Sequence, residues 1–179
     1  MINVNDFDWN KIEKGAEKYD FIMKRFLSVD VSKDIEFQTR FTGFYRVRRN
    51  KETFLKKYYT YMESLKGKTP TYDEIIRHIH TFLGTIERSF SSKLLATLNP
   101  NMPVWDQYVL SNANIKAPNY YSVTIEKCVG TYRQIVEYYT KLLQSADGQE
   151  MLELFDEKLP QFDHFTSVKK IDLMLWQKR

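Results

Sequence analysis

The chain has 179 residues, a 42% hydrophobic fraction, a 28% charged fraction and only six glycines and five prolines. That excludes a low-complexity or linker-rich chain and suffices for one domain, over 1–179, with its own core. A formal charge of +4 with a pI near 9.0 is too mild to argue for nucleic acid without a look at its distribution.

The N-terminal third contains helix formers with uneven patterning over 9–27 and 33–46, and Gly43 is expected to interrupt the second helix. From Arg40 to Tyr58, seven cations stand against one anion, Glu52, a local balance of +6. Within it, FTGFYRVRRN interleaves Phe41, Phe44 and Tyr45 with Arg46, Arg48 and Arg49, followed by Asn50. Arginines fork onto phosphates and aromatics stack on unpaired bases, so the mixture suits nucleic acid. The competing reading puts the aromatics in the core and pairs the arginines with acids of the C-terminal region.

Helical periodicity is clearest where Phe54, Leu55, Tyr58, Tyr59, Met62 and Leu65 recur at three- and four-residue intervals, predicting a helix over about 51–66. Asn50 suits its N-cap, and Gly67 with Pro70 supplies a stop. Thr71 or Thr69 then caps a helix carrying Tyr72, Ile75, Ile76, Ile79, Phe82 and Leu83, fading near Gly84. A short helix reads SSKLLATL, stopped by Asn99-Pro100, and another starts around Trp105-Asp106 after Pro103. Three further helices follow, with apolar stripes running from Ile125 to Leu143, through Met151, Leu152 and Phe155, and from Val168 to Leu175. From Ser145 to Asp163, six acids against Lys158 give −5, so the molecule is expected to be polarised. The expected fold is all-α, a compact bundle of seven to nine helices, with no repeat, no coiled-coil heptad and no alternation that demands a sheet.

Cys128 is the one cysteine and cannot form an internal disulfide, which suits a reducing compartment, with cytoplasm as the default. No stretch approaches the apolar length of a membrane span, so no membrane association is expected. His78 and His80 fall on different faces of one helix and His164 is remote, so no metal is expected and no cofactor is implied.

The stretch that invites chemistry is Ser89 to Val109, SFSSKLLATLNPNMPVWDQYV, which sets Lys93 in the first turn of one helix and Asp106 at the start of the next. The positive end of a helix dipole and partial burial both disfavour a charged amine, and a lysine that loses its proton readily can act as a nucleophile. Asp106 can cap its helix with one oxygen and face a reaction centre with the other. Read blandly, Ser91 or Ser92 is an ordinary cap, Lys93 a solvated side chain and Asp106 only a cap. Tyr45, Phe90 and Trp105 are candidate pocket walls, with plain packing as the rival reading for Trp105.

A lysine opening a helix, a proline-containing bend and the Pro103, Asp106, Val109 element together resemble the helix-hairpin-helix DNA glycosylase superfamily, in particular bacterial 8-oxoguanine DNA glycosylase-like chains. The hairpin glycines of that superfamily are absent here, where Ser89-Phe90-Ser91-Ser92 precedes Lys93. The resemblance implies Lys93 as nucleophile and Asp106 as catalytic carboxylate on a flipped nucleotide in base excision repair, with DNA as partner. Arg46, Arg48, Arg49, Asn50, Ser91 and Ser92 would then contact the nucleic acid. Two other readings stand beside it: a catalytically inactive nucleic-acid-binding module, and a protein-interaction domain using its opposite charges.

Overall fold

The computed structural model describes residues 7–47 and 52–176, and among these nine α-helices and no strand are found. They are α1 (Trp9–Ser28), α2 (Ile35–Phe44), α3 (Glu52–Ser64), α4 (Tyr72–Leu83), α5 (Arg88–Leu98), α6 (Gln107–Asn112), α7 (Ile125–Gln144), α8 (Ala146–Lys158) and α9 (Ser167–Leu175). The chain is therefore an all-α bundle, and one hydrophobic cluster recruits side chains from every helix. Among the described residues no helix is long and apolar enough to cross a membrane.

Short polar side chains start most of these helices. Asp8, Asp34, Asp106, Thr124, Ser145 and Thr166 each accept an amide hydrogen from the first turn that follows. Thr71 goes further, exchanging hydrogen bonds with Glu74 in a capping box. Gly84 ends α4 at φ 68°, a left-handed conformation that any Cβ would strain.

Two boundaries differ from the periodicity. Gly43 does not interrupt α2, which runs through it to Phe44, because Phe37, Phe41 and Phe44 on one face anchor the helix in the core. The helix carrying Lys93 begins at Arg88, not at Ser91, so Lys93 is its sixth residue and lies beyond the first turn. Its start bears no side-chain cap, so no local polar signal marks it. Asn50, the proposed cap of α3, lies outside the described residues, as does Lys51.

The last helix is the centre of the bundle. α9 packs against α1, α6, α7 and α8, and every residue from Val168 to Leu175 is buried. At the turn between α7 and α8 the backbones approach so closely that a Cβ on Gly148 would fall 1.8 Å from the Leu142 carbonyl oxygen. Only glycine fits there.

Candidate functional site

Four hydroxyls of α5, those of Ser89, Ser91, Ser92 and Thr97, are committed to backbone partners. Ser91 Oγ donates to the Glu87 carbonyl at 2.8 Å and Thr97 Oγ1 to the Lys93 carbonyl at 2.8 Å. Ser92 Oγ donates to the Ser89 carbonyl at 2.9 Å and accepts the Trp105 amide hydrogen at 2.8 Å, while Ser89 Oγ donates to the Trp105 carbonyl at 3.0 Å. Two bonds thus clamp the Pro103–Trp105 segment to α5, and the Tyr132 hydroxyl holds its other side through the Pro103 carbonyl at 2.8 Å. This clamp delivers the next residue, Asp106, to α6, where its carboxylate accepts the Tyr108 amide hydrogen at 2.8 Å.

Lys93 points from α5 into the bundle and is 8% exposed. Its Nζ donates to the Tyr45 carbonyl at 3.0 Å, at the C-terminal end of α2. The Phe90 and Tyr45 rings lie 5.3 and 5.9 Å from the same nitrogen. Among the described residues it forms no ion pair. Burial pushes the Lys93 ammonium down to about 8, with the Asp106 carboxylate pulling the other way. The cause is therefore desolvation and not the positive end of its own helix. Indeed the carbonyl end of α2 favours the cation, and burial outweighs it.

A second buried amine stands nearby. Lys169 Nζ lies 2.7 Å from Asp172 Oδ2 on α9, and the Tyr139 hydroxyl donates to Asp172 Oδ1 at 2.9 Å. Aromatic rings surround this pair, with Tyr19 at 4.4 Å, Phe44 at 5.5 Å and Tyr45 at 5.9 Å from the nitrogen. The Tyr45 ring is thus equally far from both amines. Burial first, and then Asp172, push the Tyr139 phenol well above its ordinary range. The same two causes raise Tyr45, whose hydroxyl oxygen lacks a well-aligned hydrogen-bond partner among the described residues, although the Thr97 hydroxyl is near enough to oppose the rise.

Of the residues singled out by sequence, Lys93, Tyr45 and Phe90 come together, and the charge of Asp106 reaches Lys93 without pairing with it. Ser91 and Ser92 are fully buried with their hydroxyls committed to backbone, so in this conformation they offer nothing to a phosphate. Trp105 is 4% exposed and stacks toward Tyr72, with the Arg88 guanidinium 5.8 Å from its ring, which makes it a packing residue. Phe41, Phe44 and Tyr45 are core aromatics, while Arg46 is exposed at φ 50°. Arg48, Arg49 and Asn50 lie outside the described residues.

Lys169 and Asp172 escape a reading for apolar stripes, because VKKIDLML places its charges between the expected core positions, whereas Tyr139 falls on the stripe from Ile125 to Leu143 and only its hydroxyl contact goes unread. The available signal was the three-residue spacing of Lys169 and Asp172 inside a short, otherwise apolar helix. Two surface grooves occur elsewhere, one of about 530 Å³ between α3 and α4 and one of about 190 Å³ beside His164. Neither is lined by Lys93 or Asp106. Among the described residues no three His, Cys, Asp or Glu side chains converge as metal ligands would.

The fold and site thus define an all-α protein with a buried, lightly held amine within electrostatic reach of a capping carboxylate. Compared with family models, curated proteins and solved structures, the chain finds no match in any of the three.

Proposed function

We propose that the protein binds DNA and performs base-excision glycosylase or lyase chemistry at Lys93, with Asp106 as the supporting carboxylate. The observation that carries this reading is the condition of the Lys93 amine, which is buried, held by one backbone carbonyl and lowered to about 8. An uncompensated buried cation opposes folding, and groups with such perturbed affinities for protons cluster where chemistry uses them.

In this reading a nucleotide is extruded toward α5, and the neutral amine attacks its C1′. The nitrogen–C1′ bond forms as the bond from C1′ to the base breaks, the electron pair leaves with the base, and the base takes up a proton. Asp106 stabilises the positive charge developing on the sugar. The ring then opens, its oxygen taking the proton from the amine, and leaves an iminium that borohydride reduces. Arg46 and the cations that follow Val47 in sequence would hold the phosphates.

Borohydride trapping on DNA containing 8-oxoguanine or an abasic site tests this directly. A covalent adduct is expected from the native protein and none from folded Lys93→Met. An adduct retained in that variant contradicts the assignment. DNA binding without any adduct would select the second reading, a binding module without chemistry, which draws its support from neither surface groove being lined by Lys93 or Asp106.

A further inference from the structure

The surface of α3 that faces away from the core has its own pattern. Phe54, Tyr58, Met62 and Leu65 are buried, whereas Thr53, Lys56, Lys57, Thr60 and Ser64 are exposed and form, with the half-buried Tyr61, a second stripe at three- and four-residue spacing. That stripe is one wall of the 530 Å³ groove, and His78 and Phe82 of α4, four residues apart, are the other. Its volume falls in the range of small-molecule sites.

The floor is aromatic. The Tyr61 and His78 rings stack at 4.0 Å between centroids and 26° between planes, and Phe82 meets both edge-on at 6.2 and 5.7 Å. The rim is cationic and hydroxylated. Lys56 and Lys57 are ion-paired to no carboxylate of the described side chains, and both belong to the +6 stretch. Glu74, whose charge reaches Tyr61, is already engaged with Thr71 in the capping box. An occupant must therefore offer a flat apolar face and a negative group together.

We infer that the groove between α3 and α4 is a nucleotide subsite for single-stranded DNA, in which a base packs on the Tyr61–His78–Phe82 cluster and its phosphates meet Lys56 and Lys57. Charge complementarity selects this occupant: the aromatic floor alone would accept any apolar group, but two adjacent lysines over hydroxyls favour a phosphate beside it. The site rests on the nucleic-acid half of the function proposed above and is independent of Lys93. It would position a strand outside the reacting centre.

Fluorescence anisotropy with a short labelled oligothymidylate tests it. Lys56→Glu/Lys57→Glu, on exposed positions that leave the core intact, should weaken binding at least tenfold. It should also flatten the salt dependence, by about 1.4 in log–log slope for two phosphates at about 0.7 each. His78→Ala should weaken binding about tenfold with the salt slope unchanged, as loss of stacking requires. A bromodeoxyuridine oligonucleotide should photocross-link within α3 or α4. Unchanged affinity and slope in the lysine variant, a cross-link confined to other helices, or equal competition by polyglutamate would overturn the subsite. Lys93→Met should bind the same oligonucleotide normally, so a failed trapping reaction and a failed groove give different results.

Discussion

Lys93 and Lys169 are buried to a similar degree, 8% and 4% exposed, yet the molecule holds them in opposite ways. Lys169 has a carboxylate at 2.7 Å, a tyrosine that bonds that carboxylate, and a surround of rings. Lys93 has one carbonyl and two rings. Full compensation makes a cation part of the architecture, whereas partial compensation leaves it poised to lose a proton. The difference teaches that burial alone does not say how a lysine is held, and that the count of its polar partners does.

The largest effect should come from breaking the compensated side. Lys169→Met would strand Asp172 in the core and is expected to cost about 3–5 kcal/mol in urea denaturation. The opposite sign is expected at the other lysine. Lys93→Met removes a poorly compensated charge, held down to about 8 by burial, and should raise stability at neutral pH by up to about 3 kcal/mol. Because the folded amine titrates near 8 and the unfolded one near 10.5, the unfolded chain binds more protons between those values. Native stability therefore rises with pH across that window, and the advantage of Lys93→Met should shrink there. Matched denaturation curves at the two ends of the window would show it, and a constant advantage would remove the desolvation account.

A smaller change sharpens the comparison from the side of Asp172. Tyr139→Phe deletes a hydrogen bond to a buried carboxylate and should cost about 2 kcal/mol, read from the thermal midpoint, with Lys93 trapping unaffected. The smallest effect belongs to a position remote from both lysines. Gly84→Ala strains a left-handed helix end and should cost about 1 kcal/mol with no change in DNA binding.

Much of this fold was legible in the sequence, because an apolar stripe at helical spacing and a short polar cap are local signals. Thr71, Gly84 and Asp106 do in the structure what their chemistry suggests. The start of α5 was not legible, since its first turn is held by tertiary clamps through Ser89 and Ser92 instead of a cap. That error placed Lys93 a turn too early and added the helix end to burial as a cause of its altered proton affinity, where burial alone lowers it. The juxtaposition of Lys93 with the Tyr45 carbonyl spans 48 positions and has no local signature. The Lys169–Asp172 pair was hidden by its own success, because charges satisfied inside a core helix look in sequence like a solvated face.

The central claim, that Lys93 is a buried amine with an eased proton, is tested most directly by titrating its Nζ through the attached Cε resonances in lysine-labelled protein, with Lys93→Met to assign the signal. A midpoint near 8 is the expected result. A midpoint at the ordinary lysine value, above 10, would contradict it.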